Sequence, residues 1–295
     1  MAKRPVTFDA ETLRTFVTGI ELGSFASAAE RLGRSTSAVS AQLKKLEQQA
    51  GAALVQKSGR HLVLTAQGEI MLAYARRLMS LNDEAYAAVK AVGIRGELRL
   101  GLQEDFGESL LPTILGQFSR THPDVQISAT FTRNKPLLEA IRQNELDIAL
   151  SWQGKESSAY SQSLGTLPLC WIGAKDLDIG TFFLQNRPLP LLVFDAPCMM
   201  RSAATAALDS MNIPWRIAFT SRSLSGIWAA AAAGLGITLR TETGMPSSLG
   251  IITGQKLPDA GSIGVTLHYA EKNVSAAAAS LCQMIKVHFP GAQAH

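Results

Sequence analysis

The sequence predicts an α/β protein in two parts: a small N-terminal helical unit carrying a β-hairpin wing, then a larger part in which strands and helices alternate. Three observations predict it. Apolar residues recur at helical spacing through the first part and then give way to short apolar runs of strand type. The charge is uneven: residues 1–92 hold 12 Lys+Arg against 8 Asp+Glu, whereas 93–295 hold 16 against 16, so the whole net charge of +4 lies in the first third. The segment Val92-Gly93-Ile94-Arg95-Gly96 separates the two patterns. A chain of 295 residues has room for two or three compact units.

In the first part, Leu13, Phe16, Val17 and Ile20 form the stripe of a helix starting near Asp9 or Thr12. Phe25, Ala28, Ala29 and Leu32 share the face of a second helix, which Gly33 can end because glycine takes positive φ freely. Ser35 suits the N-cap of a third helix whose buried stripe is Val39, Leu43 and Leu46. Thr36, Ser37, Ser40, Ala41, Lys44 and Lys45 are left on or near its outer face. Small polar residues at a helix start can approach base edges, and lysines further along can reach phosphates. This is the layout of a helix-turn-helix over 25–44, although an ordinary helical hairpin shares the spacing. Across residues 31–60, Arg31, Arg34, Lys44, Lys45, Lys57 and Arg60 are opposed only by Glu47, a basic patch of the kind phosphate contact requires.

Residues 54–65 alternate loosely around Ser58-Gly59 and predict the hairpin wing, with Lys57 and Arg60 reaching the nucleic-acid backbone or minor groove. Thr65 is the expected N-cap of a long helix over 67–92, in which Leu72, Ala75, Met79, Asn82, Tyr86 and Val89 repeat at spacings of three and four. So narrow a seam predicts a partner helix from a second subunit; packing within the chain is the alternative.

Beyond the break, strands are expected at 97–102, 124–132 and 146–152, with helices at 110–121 and 136–144, an alternation that predicts a parallel sheet. A second α/β unit follows: a crossing strand at 167–173, strands at 190–194, 215–220 and 237–240, and helices at 199–211 and 224–233. A strand at 265–269 returns to the first unit and a helix over 274–289 closes the chain. Two crossings between two lobes predict a hinged clamshell, with any ligand beyond the strand ends in the cleft. Those ends supply Gln103, Glu104 and Asp105; Thr132 and Arg133; Ser151 and Trp152; Cys198, Met199 and Arg201; Ser221, Arg222, Ser223 and Ser225; and Thr241. The helix start at 221–225 suits an anion, or is plain N-capping. Glu104-Asp105 instead favours a cationic or hydrogen-bonding ligand, or fixes a helix start.

Residues 13–65 resemble the N-terminal domain of LysR-type transcriptional regulators. The matching words are LRTF (13–16), GSFASAAERL (23–32), S-x-S-AVS-x-QLKKLE (35–47), Gly51, Leu54, Arg60 and LT-x-x-G (64–68). After Gly51 the family has Leu-Phe and then a basic residue, where this chain reads AALVQKSGR with Val55 in place of the aromatic. Element order, LDIAL and AAGLGI are similar to the family's effector domain, which shares its architecture with periplasmic binding proteins, and QEDFGESLLP resembles a branch containing motility and virulence regulators.

The resemblance implies a winged helix-turn-helix at 8–65, a dimerising linker helix at 66–92 and a Rossmann-like effector domain at 96–290, with lobe I about 96–166 and 266–290 and lobe II about 167–265. It implies promoter DNA as partner, contacted by Arg34, Ser35, Thr36, Ser37, Ser40, Gln42, Lys44, Lys45, Lys57 and Arg60. It also implies self-association to a dimer and tetramer, a contact with RNA polymerase, and a small-molecule effector whose carboxylate often sits on a helix end in the cleft.

Enzyme chemistry finds little support. GxSxG, HExxH, GxxxxGK[ST] and a complete GxGxxG are all missing from the sequence, Gly234-Leu-Gly236 lacking its third glycine. His61, His122, His268, His288 and His295 have no evident nucleophile or acid partner. No cofactor is expected. Cys170, Cys198 and Cys282 lie far apart without metal-ligand spacing, which suits a reducing compartment. The N-terminus lacks an apolar signal core, and the run 227–239 is too short to span a membrane, so a cytoplasmic protein is expected. A ligand-binding or protein-interaction module without a gene-regulatory role is the alternative that the basic first third argues against.

Overall fold

The computed structural model describes residues 6–58, 61–253 and 257–289. The chain divides into two compact units, Met1–Val92 and Gly93–His295.

The first unit runs α1 (Ala10–Glu21), α2 (Phe25–Arg31), α3 (Thr36–Ala50), β1 (Val55–Ser58), β2 (His61–Leu64) and α4 (Ala66–Lys90). Every helix starts on a side-chain cap. Asp9 accepts the Glu11 N–H, Ser24 that of Ser27, Ser35 that of Ala38 and Thr65 that of Gly68, each worth about 1 kcal/mol. Gly33, at φ +62°, turns α2 into α3. Leu13, Phe16, Leu46, Leu54, Leu72, Ala75 and Met79 make the core. Glu47, the lone acid of residues 31–60, accepts the Leu54 N–H at 2.8 Å and ties α3 to the base of the antiparallel β1–β2 hairpin. The LT-x-x-G word has a steric cause: Thr65 N–H donates to the Leu54 carbonyl at 3.0 Å, and a Cβ on Gly68 would lie 1.9 Å from that same oxygen.

The seam expected on the long helix is corrected over its first half. Leu72, Ala75 and Met79 are buried in the unit's own core, while Asn82, Tyr86 and Val89 are exposed. Arg14–Asp83 and Arg76–Glu21 ion pairs tie the same side of α4 to α1. A different face is left uncovered within this unit: Tyr74, Leu78, Leu81 and Ala85, spaced 4-3-4, with exposed Ile70 beside them and half-buried Ala88 one step further on. The two stripes lie side by side on one helix, and spacing alone could not say which of them α1 would cover.

The second unit contains β3 (Gly96–Leu102), α5 (Glu104–Ser109), α6 (Leu111–Thr121), β4 (Val125–Phe131), α7 (Asn134–Arg142), β5 (Ile148–Trp152) and β6 (Tyr160–Pro168). It continues with β7 (Cys170–Ala174), α8 (Gly180–Leu184), β8 (Leu189–Phe194), α9 (Met199–Ser210), β9 (Trp215–Ser221), α10 (Leu224–Ala232), β10 (Thr238–Arg240), β11 (Leu249–Ile251), β12 (Ser262–Tyr269) and α11 (Ala276–His288). Lobe I is a five-stranded sheet in the order β4-β3-β5-β12-β6. It is mixed rather than parallel: β3 runs parallel to β4 and β5, but β12 runs antiparallel to both β5 and β6. The returning strand reverses the sheet because it arrives from lobe II without a crossover helix.

Lobe II joins the β10-β7-β11 sheet to the parallel β8-β9 pair through Leu191 and Ile237. Gly236 makes that junction possible, since a Cβ there would stand 2.2 Å from the Pro190 carbonyl oxygen. The Gly234-Leu-Gly236 turn therefore serves strand packing. The expected crossing strand at 167–173 is two strands, β6 in lobe I and β7 in lobe II, and the chain crosses at Leu169 between them. Strand β6 escaped the sequence because it is a largely polar edge strand with only Leu164 and Leu167 buried.

Candidate functional site

On α3, Thr36, Ser37, Ser40, Ala41 and Lys44 are all exposed. Their spacing puts them on one side of the helix, while Val39 and Leu46 are buried on the other. Ser35 closes the start of this face, its hydroxyl 3.0 Å from that of Ser37. The result is a small, uncharged helix start followed by a lysine.

Other residues expected beside them are placed differently. Gln42 is half-buried, held by Thr15 and by Glu11 at 3.5 Å, and so is off the outer face. Arg34 pairs with Glu11 at 2.9 Å and Lys45 with Asp9 at 2.8 Å. The Lys45 hydrogen bond and the Glu11 N–H hold the Asp9 carboxyl below its ordinary range. These exposed pairs are weak, about 0–1 kcal/mol, yet a phosphate would compete with a carboxylate for each cation. Lys44 has no ion-pair partner among the described residues. Arg60 lies outside the described residues, as does the Lys57 side chain.

In the second unit a cavity of about 1190 Å³ opens between the lobes, at the carboxyl ends of β3, β4, β5 and β8. Of the expected residues, Gln103, Glu104, Thr132, Arg133, Cys198, Met199 and Arg222 line it, and Trp152 lines a small adjoining pocket. Sequence reading missed Asn134, Lys135, Lys155, Phe194 and Asp195. The signal existed for Asn134, Lys135 and Asp195, which sit one to three residues past predicted strand ends. Arg133 reaches across to Asp195, which also takes an Arg222 hydrogen bond at 3.1 Å. Arg133 first, and Arg222 with it, hold the Asp195 carboxyl below its ordinary range. Four cationic residues, Arg133, Lys135, Lys155 and Arg222, thus line a cleft with two acids, Glu104 and Asp195.

Of the two readings of Glu104-Asp105, a cationic or hydrogen-bonding ligand or a helix start, the first is corrected and Glu104 takes the second. Asp105 is fully buried and grips Arg240 of lobe II with three hydrogen bonds of 2.7–3.0 Å. The Arg240 guanidinium lies 4.6 Å from the Phe194 ring centroid and 5.9 Å from that of Trp228. Glu104 accepts the Leu224 N–H and so occupies the N-terminus of α10 in place of a ligand. Ser223 caps the same helix by accepting the Gly226 N–H, and the Ser221 hydroxyl donates to the Ser223 carbonyl. Ser151 is buried against His268 at 3.0 Å. The Arg201 guanidinium donates to the Phe194 carbonyl, and Thr241 lines a separate cavity. Ser151, Arg201, Ser221, Ser223 and Thr241 are therefore not on the cleft wall. Among the described residues no cluster of His, Cys, Asp and Glu is placed to hold a metal, and no helix is long and apolar enough to cross a membrane.

Comparison with known proteins matches both units. Residues 10–69 match the model of the bacterial regulatory helix-turn-helix protein, lysR family, and residues 91–288 match that of the LysR substrate binding domain. The HTH-type transcriptional regulator DgdR of Burkholderia cepacia is 32% identical over 96% of this chain and 95% of its own length. PecT of Dickeya dadantii is 33% identical over 87% and 81%. Among solved structures, Vibrio fischeri DarR in complex with DNA aligns at TM-score 0.55 and 17% identity over 95% of this chain and 99% of its own. Full-length BenM aligns at 0.52 and 21% over 95% and 96%.

Proposed function

We propose, from the premise that the chain belongs to the LysR family of DNA-binding transcriptional regulators, a division of labour among its parts. The family consists of regulators rather than enzymes, and DNA is this chain's partner. Helix α3 enters the major groove, where Thr36, Ser37 and Ser40 meet base edges and Lys44 a phosphate, while Lys57 and Arg60 serve the wing. The observation that carries this is the exposed α3 face, uncharged at its start and basic further on. Arg34 and Lys45 act there only after leaving Glu11 and Asp9.

Two copies associate through the uncovered α4 stripe of Tyr74, Leu78, Leu81 and Ala85, which presents two α3 helices to half-sites related by a two-fold axis. Pairs of dimers and a contact with RNA polymerase complete the assembly, in the cytoplasm where promoter DNA lies. The interlobe cleft takes a small anionic effector, as its four cationic and two acidic lining residues favour. The effector acts by binding one lobe or subunit arrangement more tightly than another.

Fluorescence anisotropy of the full chain on the intergenic DNA beside its own gene, against scrambled DNA at several salt concentrations, tests the reading. Sequence-selective binding with a steep salt slope supports it. Equal binding to both DNAs removes the base-reading role of α3.

A further inference from the structure

We propose that Asp195 is an internal anion of the cleft: it holds Arg133 in place of an effector's carboxylate, and the transfer of Arg133 from Asp195 to that carboxylate unlocks the two lobes. This rests on the reading of the cleft as the site of an anionic effector, and adds the group that the effector engages and the contact that it breaks.

Three charges meet on the cleft wall. Arg133 lies just past β4 in lobe I, while Asp195 and Arg222 directly follow β8 and β9 in lobe II. One carboxylate oxygen of Asp195 accepts from the Arg133 guanidinium and the other from Arg222 at 3.1 Å. Arg133 donates a further bond, at 3.1 Å, to the Asp195 carbonyl oxygen. Two cations thus share one carboxylate, which leaves one positive charge unmatched. A single carboxylate on Arg133 matches it: Arg133 then pairs with the ligand, and Asp195 with Arg222 alone. Arg222 matters for this exchange, because without it the departure of Arg133 would strand Asp195. The Arg133 guanidinium also lies 5.2 Å from the Phe194 ring centroid, a contact that does not depend on which carboxylate it holds. Phe131, Phe194 and Met199 line the same cavity, so the ligand class is a small carboxylate with an apolar body.

Depth separates this contact from the other ion pair between the lobes. The Asp105 and Arg240 side chains are 1% and 3% exposed, and such a pair does not part without stranding a buried charge. The Arg133 and Asp195 side chains are each 31% exposed and stand on the cavity wall, where water can reach both as they separate. The deep pair is a fixed clamp and the shallow one a latch. A ligand opens only the latch, and the lobes rearrange about the clamp.

Ligand-observed NMR titrations of the full chain with 3-phenylpropionate, and with 3-phenylpropan-1-ol as its uncharged counterpart, test the latch at constant ionic strength. The carboxylate is expected to bind saturably and the alcohol several-fold more weakly. Asp195→Asn is expected to tighten the carboxylate about fivefold, the gain from removing one partly exposed charge contact, and to leave the alcohol unchanged. Removing a negative charge from the cleft favours any anion, so the Arg133→Gln background decides: there the gain from Asp195→Asn is expected to vanish. Without added ligand, Asp195→Asn is also expected to raise amide hydrogen exchange several-fold over 132–135 and 194–198. Carboxylate binding that Asp195→Asn does not tighten, equal tightening in the Arg133→Gln background, or unchanged exchange overturns the latch and leaves the anionic cleft standing. No saturable carboxylate binding by either the wild-type chain or Asp195→Asn overturns the anionic reading and the latch with it. Should Asp195→Asn lose its fold by circular dichroism, Asp195→Ser is read in its place.

Discussion

Replacing Asp105 by Asn leaves the Arg240 guanidinium buried without its counter-charge. The Asp105 and Arg240 side chains are 1% and 3% exposed, and three hydrogen bonds join them. Breaking such a pair by removing one partner costs about 3–5 kcal/mol, because the remaining charge has no water to return to. With a denaturant slope near ~2 kcal/mol/M, the urea midpoint of the second unit falls by about 2 M. The assay is built into the sequence. The four tryptophans, Trp152, Trp171, Trp215 and Trp228, all lie in residues 93–295, so their fluorescence follows that unit and not the DNA-binding one. The double variant Asp105→Leu with Arg240→Met removes both charges and is expected to recover most of the loss. A loss below about 1 kcal/mol for Asp105→Asn, or a double variant no better than the single one, would show that the buried pair does not bind the lobes together.

Three further outcomes are expected. Lys44→Ala lowers the slope of log affinity against log salt by about one unit on any DNA, whereas Lys45→Ala, already paired with Asp9, changes it less; anisotropy at several salt concentrations separates them. Leu81→Asp, on the uncovered stripe of α4, is expected to turn the proposed dimer into monomer in sedimentation velocity while the monomer keeps its helices; Leu72→Asp, in the core of the first unit, unfolds that unit instead. His268, buried and hydrogen-bonded to Ser151 and Ser158, is pushed by burial down to about 4. Between there and its ordinary value the unfolded chain binds the proton and the folded one does not, so stability is full above about pH 6.5 and falls towards pH 4, by about 3 kcal/mol in all. His268→Gln flattens that part of the pH–stability curve measured by urea titration.

Local signals carried most of the fold. The caps at Ser35 and Thr65, the glycine turn at Gly33 and the apolar stripes of α1 to α3 are short-range features with short-range causes. What escaped the sequence was long-range. Which stripe of α4 meets α1 depends on helix packing within the first unit. The polar strand β6 owes its existence to pairing with β12, about a hundred residues later in the chain. The cleft was legible as a place, because strand ends can be counted, but not as a charge. Glu104-Asp105 reads equally as a cation site or a helix start until lobe II brings Arg240 to Asp105 and the Leu224 N–H of α10 to Glu104.

The Glu104 carboxylate on α10 has a consequence for sensing. An anionic metabolite aimed at that helix start competes with a carboxylate tethered to the same protein, whose local concentration for a short tether is of the order of millimolar. Its half-saturation point is raised accordingly, and trace amounts go unread. For the anionic effector proposed above, this arrangement favours a response to abundance over a response to traces.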